Sequence, residues 1–373
     1  MKSLDKIRGC LIGGAAGDAL GYAVEFLDER SIFHKYGKQG ITRYQLHDGE
    51  ALISDDTQMT LFTAAGLLFG TTRGSMRGIM GSYTDYIACS YRDWFQTQTR
   101  SFSAGAAPES YPVSWLMNVP RLYSLRAPGN TCLSAIRQGC SGIIETPLNQ
   151  SKGCGGVMRV APIGLYLTPY KTIDEIDRIG AEAAALTHGH EMGYIPAAML
   201  VHIVQMVSQN DNISLKDAVL DAQRGMDRHF PTANCLYSFQ RLIDHAVALS
   251  ESDTDDLTAI HQLGQGWVGD EALAIAIYCA LRYEHDFDKA IIAAVNHCGD
   301  SDSTGAITGN ILGAHLGLSA IPRKYVDALE LKDVILEIAD DLYNDCPING
   351  YSDRQEPRNA KWLQKYVEMT YHL

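Results

Sequence analysis

The chain has 373 residues, 46% of them hydrophobic, and its formal net charge is -13. That length and hydrophobic content allow a large buried core, in one large domain or in two closely packed halves. The negative charge argues against nucleic acid or an anionic membrane surface as a general partner, because both surfaces would repel the chain at long range.

Helical periodicity dominates the sequence, and no run of alternating strands recurs beside it. Proline and glycine punctuate the segments between the helices, and no low-complexity linker marks a domain boundary. We therefore predict a compact all-α fold in a single domain that spans residues 1–373. The predicted helices cover residues 4–24, 55–70, 75–95, 131–144, 173–187, 192–208, 214–225, 234–250, 270–283, 288–297, 304–317, 324–340 and 359–371.

The cysteines and the first residues bear on the compartment. The nine cysteines form no C-x-x-C pair, and their number is odd. The start MKSLD does not resemble a signal peptide, and the sequence has no uninterrupted apolar span of membrane length. We therefore expect a protein of the reducing cytoplasm that has no membrane partner.

Two small acidic clusters carry the strongest functional signal. They are residues 54–57 (SDDT) and 300–304 (DSDST), and each opens a long apolar helix. Four carboxylates that converge would repel one another, and proteins usually resolve such repulsion with hard cations such as Mg²⁺ or Mn²⁺. The two clusters together predict the two-metal site of a hydrolase.

Each cluster could instead serve only as a helix cap. Asp55 with Gln58 fits a capping box, and Asp302 or Ser303 fits a plain N-cap. A cap needs one acceptor, however, whereas both clusters supply doubled acids with flanking hydroxyls. The additional carboxylates and hydroxyls favour the metal site.

Two other acidic motifs can be tested by spacing. An EF-hand loop that begins at Asp300 requires a bidentate Glu at its twelfth position, where this chain has Ile311, so that interpretation fails. A phosphatase nucleophile of the D-x-D-x-T type would follow a buried strand. Residues 288–297 have helical character instead, which argues against this rival enzyme class.

Glycine recurs at every fourth position on two predicted helices. A glycine inside a helix lowers helix stability by about 0.8–1 kcal/mol relative to alanine, so these stripes destabilise their helices unless a close packing contact compensates. We predict that they allow tight helix packing in the core. The alternative is that the glycines are merely tolerated. The two stripes are Gly9, Gly13, Gly17 and Gly21, and Gly305, Gly309, Gly313 and Gly317.

A glycine-dense loop lies between the acidic clusters, at residues 152–159 (KGCGGVMR). Successive backbone amides with little side-chain cover can hold phosphate oxygens, and Arg159 could add positive charge. The loop has neither the Walker Lys-Ser/Thr ending nor G-x-G-x-x-G spacing, so a common nucleotide triphosphate fold is not indicated.

Taken together, these motifs resemble the ADP-ribosylglycohydrolase family, which includes dinitrogen-reductase-activating glycohydrolase and the ADP-ribosylarginine hydrolases. The set is far more specific than any one of its members. The matching segments are residues 17–21 (GDALG) with 24–26 (VEF), 54–60 (SDDTQMT), 153–165, 186–188 (LTH), 264–272 (GQGWVGDEA) and 299–305 (GDSDSTG).

The resemblance implies an orthogonal all-α bundle with a binuclear Mg²⁺ or Mn²⁺ centre. It places Glu25 at the position of the family's catalytic acid, where a carboxylate can accept a proton during hydrolysis. A solvated acid at a helix end is the structural alternative. Asp55, Asp56 and Asp302 share the catalytic assignment. The implied metal ligands are Ser54, Asp55, Asp56, Asp300, Asp302 and Ser303.

The resemblance also implies a binding surface for ADP-ribose. The glycine loop would hold the diphosphate, His188 would lie beside the ADP-ribose, and Asp93 in residues 91–94 (YRDW) would line the cleft for the modified side chain. A structural histidine and a packed helix are the respective alternatives. The implied binding residues are Gly153, Cys154, Gly155, Gly156, Met158, His188, Trp267 and Asp93.

The implied reaction is hydrolysis of the N-glycosidic bond between ADP-ribose and a protein arginine. The partner is then an ADP-ribosylated protein and the product is ADP-ribose. Arginine is favoured because residues 91–94 and 126–130 look like those of arginine-specific relatives. Alternatives are a serine or O-acetyl linkage, a non-catalytic ADP-ribose binder, and an immunity protein that neutralises an ADP-ribosyltransferase toxin.

Overall fold

The computed structural model describes residues 2–103 and 111–373, and in them the chain is helical with isolated bridges but no strand. This confirms the all-α prediction. Across the same residues, no helix combines the length and the apolar character that a membrane crossing requires. The α-helices are α1 (Leu4–Gly21), α2 (Glu29–Tyr36), α3 (Asp55–Arg77), α4 (Tyr83–Thr99), α5 (Asn130–Arg137), α6 (Ala161–Tyr166), α7 (Ile173–Ala185), α8 (Glu191–Gln209), α9 (Leu215–His229), α10 (Leu236–Ser250), α11 (Asp256–Leu263), α12 (Gly269–Arg282), α13 (Phe287–Val295), α14 (Ser301–Leu316), α15 (Arg323–Val326), α16 (Lys332–Asn344) and α17 (Pro357–Tyr366).

Several predicted helix boundaries are wrong. The helix predicted at 75–95 is two helices, because Gly78 ends α3 in the left-handed conformation, with φ of 70°. The helix predicted at 324–340 divides in the same way near Leu331, whose φ is 56°. Helices α2, α6 and α11 were not predicted, since each has at most eight residues and shows too few turns for periodicity to be read.

The two glycine stripes pack against each other along α1 and α14. A Cβ atom at Gly13 would overlap the carbonyl oxygen of Gly309, and one at Gly309 would overlap that of Gly13. We call this antiparallel contact the glycine seam. Its facing pairs are Gly9 with Gly313, Gly13 with Gly309, Gly17 with Gly305, and Gly21 with Ser301. The seam confirms the prediction of tight packing.

The seam places the end of α1 beside the start of α14. A Cβ atom at Gly21 would lie against the backbone of Ser301 and 2.6 Å from the Cα atom of Asp302. Glu25 follows α1 by four residues, and Asp300 caps α14. Residues far apart in the sequence are therefore brought to one place by backbone packing.

Asp18 on α1 fixes the third helix of the site. Its buried carboxylate accepts hydrogen bonds from the backbone N–H groups of Ser54, at 2.9 Å, and Thr57, at 3.1 Å. The Thr57 hydroxyl also donates to it. Asp18 thus satisfies N–H groups at the α3 terminus and attaches the first acidic cluster to α1.

The helix-cap alternative names the wrong capping residues in both clusters. Ser54 is the N-cap of α3 and accepts from the Asp56 N–H at 3.2 Å, so Asp55 and Gln58 form no capping box. The N-cap of α14 is Asp300, which leaves Asp302 inside the first turn. One residue per cluster therefore serves as the cap, and the remaining acids are available for another role.

Candidate active site

Three carboxylates converge at one end of the seam, where α1 ends and α14 begins. Oxygen atoms of Glu25, Asp300 and Asp302 all lie within 4.8 Å of one another, and the three side chains are buried. In the described part of the chain, Glu25 Oε2 is buried and has no hydrogen-bond partner. Like charges held this close without compensation are unfavourable.

The first acidic cluster joins this group. Asp55 and Asp56 are buried, and Asp55 Oδ2 accepts from the Gly129 N–H at 3.3 Å. Asp56 Oδ2 is a second buried oxygen that finds no hydrogen-bond partner among residues 2–103 and 111–373. We call Glu25, Asp55, Asp56, Asp300 and Asp302 the acid cluster.

The proton affinities of these acids show their mutual repulsion. Burial raises the pKa of Glu25 to about 8, and the charges of Asp300 and Asp55 add to the effect. Burial also holds the pKa of Asp56 well above its usual range, and the charge of Asp55 makes the next largest contribution. The group is therefore costly to ionise unless a cation accompanies it.

The acid cluster fits divalent cations. Its donor atoms are all oxygen, which suits hard ions such as Mg²⁺ or Mn²⁺. Asp56 Oδ2, which has no hydrogen-bond partner in the described ranges, is available to coordinate such an ion. The described residues therefore supply the charge and the donor atoms that a metal centre needs.

Two serine hydroxyls flank the acids, as the sequence predicts. Ser54 Oγ accepts from the Asp56 N–H, so one of its acceptor sites is in use. Ser303 Oγ lies 3.5 Å from Cys154 Sγ and 3.9 Å from Met158 Sδ. Both serines are buried, and Ser303 links the acid cluster to the glycine loop.

The glycine loop is attached directly to the second acidic cluster. The Cys154 thiol donates to Asp300 Oδ2 at 2.7 Å, and the Cys154 N–H donates to the Trp267 carbonyl at 3.2 Å. A bridge between Gly153 and Val268 holds the same two segments together. The structure thus brings residues 153–156 and the Trp267 segment to the acids.

His188 lies behind the loop. A Cβ atom at Gly155 would be 3.0 Å from the His188 ring, and one at Gly153 would be 3.4 Å from its Nε2 atom. His188 Nδ1 is 2.8 Å from Thr187 Oγ1. Burial, reinforced by the charge of Arg159, lowers the pKa of His188 to about 3, so its imidazole is neutral near pH 7.

Arg159 does not contribute its charge to the loop surface as expected. Its guanidinium is fully buried and donates to Thr187 Oγ1 at 2.6 Å and to the Ala183 carbonyl at 3.2 Å. It also stacks on the Tyr91 ring, 4.5 Å from the centroid. Arg159 therefore supports the core behind the loop.

Asp93 is separate from the acid cluster. It is buried, and its Oδ2 accepts from the Val113 N–H at 2.7 Å. Its neighbour Trp94 is also buried and donates to Gln58 Oε1 at 3.0 Å. The segment therefore packs α4 in the way that the structural alternative expects.

An exposed aromatic pair borders the acids. Phe26 is 73% exposed and Trp267 is 42% exposed. Their rings stack, with centroids 6.5 Å apart and an interplanar angle of 25°. Phe26 directly follows Glu25, and the Trp267 segment contacts Asp300 through Gly266. Two flat apolar faces therefore lie beside a buried group of carboxylates.

Comparison with known proteins decides the family. A family model described as ADP-ribosylglycohydrolase matches residues 1–351. The chain belongs to the ADP-ribosylglycohydrolase family. Membership supports a metal-dependent hydrolase that removes ADP-ribose, and the acid cluster contains one of the groups of side chains that could hold metal.

Relatives align with most of this ADP-ribosylglycohydrolase. ADP-ribosylhydrolase ARH3 of Mus musculus is 24% identical over 369 residues, which cover 88% of each chain. ADP-ribosylarginine hydrolase Tri1 of Pseudomonas putida is 24% identical over 349 residues, which cover 93% of this chain and 80% of Tri1. A solved structure of an ADP-ribosylglycohydrolase-related protein complex covers 91% of this chain and 98% of its own, with TM-score 0.59 and 21% identity. That likeness shows a shared fold.

Sequence reasoning missed three contacts around this site, although it placed Cys154 in the binding surface. Asp18 attaches α3 to α1, Phe26 faces Trp267, and the Cys154 thiol contacts Asp300. A buried acid inside an apolar, glycine-rich helix was a usable signal for Asp18. The other two contacts join residues more than 140 positions apart, and no local pattern reports them.

Proposed function

We propose that this protein hydrolyses the N-glycosidic bond between ADP-ribose and a protein arginine. The products are ADP-ribose and a free guanidinium. The observation that carries the proposal is the acid cluster, in which buried carboxylates converge and Glu25 Oε2 has no hydrogen-bond partner within the described residues.

Two divalent cations, Mg²⁺ or Mn²⁺, are part of the proposal. Such ions orient oxygen groups of a substrate and stabilise negative charge that develops during hydrolysis. Support comes from the burial of the acids and from their raised pKa values, which a bound cation would relieve. The proposed ligands are Ser54, Asp55, Asp56, Asp300, Asp302 and Ser303.

Glu25 is the proposed proton acceptor. Its partnerless Oε2 is free to accept a proton from an attacking water. Burial raises the pKa of Glu25 and bound cations would lower it again, so the group can accept a proton as a general base near neutral pH.

The glycine loop and His188 are the proposed site for the diphosphate. Arg159 donates to the Thr187 oxygen, so the Thr187 hydroxyl proton can go to His188 Nδ1, which leaves the imidazole proton on Nε2. Nε2 faces Gly153. An N–H donor beside the loop amides suits a phosphate oxygen.

The aromatic pair favours arginine as the modified residue. A guanidinium is planar and cationic, and it stacks well on aromatic rings such as those of Phe26 and Trp267. The nearby carboxylates attract the positive charge of a guanidinium. A serine linkage brings no cation to these faces. Sequence identity does not distinguish an arginine linkage from another linkage, because ARH3 and the ADP-ribosylarginine hydrolase Tri1 are both 24% identical to this chain.

The test uses peptides that carry ADP-ribosyl-arginine or ADP-ribosyl-serine, with Mg²⁺, with Mn²⁺ and with a chelator. We expect ADP-ribose release from the arginine peptide that requires the metal. Trp267→Ala should weaken turnover of that peptide. Release from the serine peptide alone would overturn the arginine linkage, and binding of ADP-ribose without release from either peptide would overturn the enzyme.

A further inference from the structure

A second group of ligand-type side chains lies on helices that do not form the acid cluster. Asp174 and Asp177 are on α7, and His229 is the last residue of α9. His229 Nε2 is 3.2 Å from Asp174 Oδ1 and 3.3 Å from Asp177 Oδ2. One ligand atom from each of the three residues lies within 4.8 Å of the others.

Hydrogen bonding leaves atoms of this group unsatisfied. Asp177 is fully buried, and its Oδ1 has no partner among the residues that the structure describes. His229 Nε2 is also buried. Asp174 Oδ1 and Asp177 Oδ2 lie close to it, but it forms no hydrogen bond with any residue in the same described ranges. A nitrogen and a buried carboxylate thus meet without completing a hydrogen bond.

A supporting layer fixes the buried ligand. His202 Nδ1 is 2.8 Å from Asp177 Oδ2, and His202 Nε2 is 3.2 Å from Asp221 Oδ2. Gly225 on α9 leaves room for this pair, because a Cβ atom there would lie 3.2 Å from His202 Nδ1. Such outer hydrogen bonds hold carboxylate ligands in known metal sites.

We propose that Asp174, Asp177 and His229 form a second metal site, for a divalent transition metal of the Zn²⁺ type. Tetrahedral Zn²⁺ with bonds of about 2.0–2.1 Å sets its ligand atoms about 3.3 Å apart. The observed separations from His229 Nε2 are 3.2 and 3.3 Å. Mixed imidazole and carboxylate donors also suit Zn²⁺ better than Mg²⁺.

The group is exposed on its Asp174 side, where that side chain is 58% exposed, whereas His229 Nε2 and Asp177 are buried. Water can therefore reach the group from the Asp174 side. Without a metal, the acids would instead form ion pairs with His229 and with Arg228, whose Nη2 is 3.5 Å from Asp174 Oδ1. That arrangement is the alternative that the experiment must exclude.

The experiment titrates Zn²⁺ into the full chain by calorimetry, with excess Mg²⁺ present to occupy the acid cluster. The wild type is compared with His229→Gln, Asp174→Asn and the control His245→Gln. His245 is exposed on α10 and contacts Gln262. We expect the wild type and His245→Gln each to bind one Zn²⁺ with similar affinity. In His229→Gln and Asp174→Asn the Zn²⁺ affinity should fall by at least about 10–100-fold.

A second measurement identifies the site and its coordination. Co²⁺ in a four-coordinate nitrogen and oxygen site absorbs strongly in the visible range, and this band should persist in Asp302→Ala, which disables the acid cluster instead. Equal Zn²⁺ affinity in wild type and both ligand variants would overturn the proposal. So would a Co²⁺ band that disappears in Asp302→Ala and persists in His229→Gln.

Discussion

The glycine seam joins α1 to α14, the acid cluster lies where α3 meets one end of that seam, and the two regions follow opposite physical rules. Along the seam, α1 and α14 approach until the backbone of Gly13 meets that of Gly309. At the end of the seam, carboxylates repel one another, and Glu25 Oε2 lacks a hydrogen-bond partner in the described part of the chain. Close packing fills the first region, whereas the second is incomplete without a ligand.

The contrast explains why so many glycines occur in two helices. Each costs about 0.8–1 kcal/mol of helix stability relative to alanine, and close interhelical packing offsets that cost. The packed seam then holds like charges together against their repulsion. Stability concentrated in one region thus allows a strained arrangement in the other.

The largest expected effect comes from removing one acid. Asp302→Ala should abolish turnover and lower metal content, while the far-UV helical signal changes little because core volume is hardly affected. The matched control is Asp333→Ala, at the same position in the first turn of α16 but exposed. Full activity in Asp302→Ala would contradict the metal assignment.

Glu25→Gln tests proton transfer at the other side of the cluster. Glutamine keeps the size of the side chain but does not act as a base, so turnover should fall by roughly 10²–10⁴-fold. Metal content and ADP-ribose affinity should change much less. A parallel loss of metal would instead make Glu25 a ligand, and near-normal turnover would place the base elsewhere.

Gly309→Leu tests the seam itself. The side chain would overlap the Gly13 backbone, so we expect destabilisation of about 1–3 kcal/mol or more, measured by urea unfolding. The control is Gly129→Leu, where an added Cβ atom meets no atom of the described residues within 4 Å. Equal stability of both variants and the wild type would remove the packing argument.

The link between the two regions can be tested with two alanines. Gly21 and Gly9 lie at opposite ends of the seam, and an added Cβ overlaps backbone at both. Only Gly21 faces Asp302. Gly21→Ala should therefore weaken Mn²⁺ binding by about 10-fold or more, the effect typical of lost outer support, while Gly9→Ala leaves it nearly unchanged. Equal Mn²⁺ affinities of the two variants would show that packing along the seam does not position the metal ligands.

The smallest effect concerns pH. Without metal, Glu25 holds its proton to about pH 8 in the folded chain, but releases it near pH 4.5 when unfolded. The folded state then binds more protons, so this group lowers stability as pH rises between those values. Because cations bind the ionised acids, stabilisation by Mg²⁺ should be larger at about pH 8 than at about pH 5. Urea titrations with Mg²⁺ and with chelator would show this, and equal stabilisation would contradict it.

Local pattern was enough to predict the helical fold and the close packing of the glycine stripes. The patterns that predict both are repeated within a few helical turns, as in the spacing of Gly13 and Gly17. The acids at 54–57 and 300–304 were also visible, because their surplus of oxygen exceeds what a cap needs. The short helices were not, since eight residues show only two turns.

Contacts across the chain could not be read from sequence. Asp18 bonds Thr57 across 39 positions, and Cys154 bonds Asp300 across 146. Such pairs arise from the packing of whole helices. The sequence also did not reveal that the buried Asp93 carboxylate accepts a hydrogen bond from the Val113 N–H, and its place in the binding cleft stays a prediction.

The most direct test of the account is a crystal structure with Mn²⁺, measured at the manganese absorption edge so that anomalous scattering locates the ions. The account predicts two Mn²⁺ peaks in the acid cluster at coordination distance from the carboxylates. The expected ligands include Asp55, Asp56, Asp300 and Asp302. Ordered acids with no Mn²⁺ among them, at concentrations that support ADP-ribose release, would contradict it.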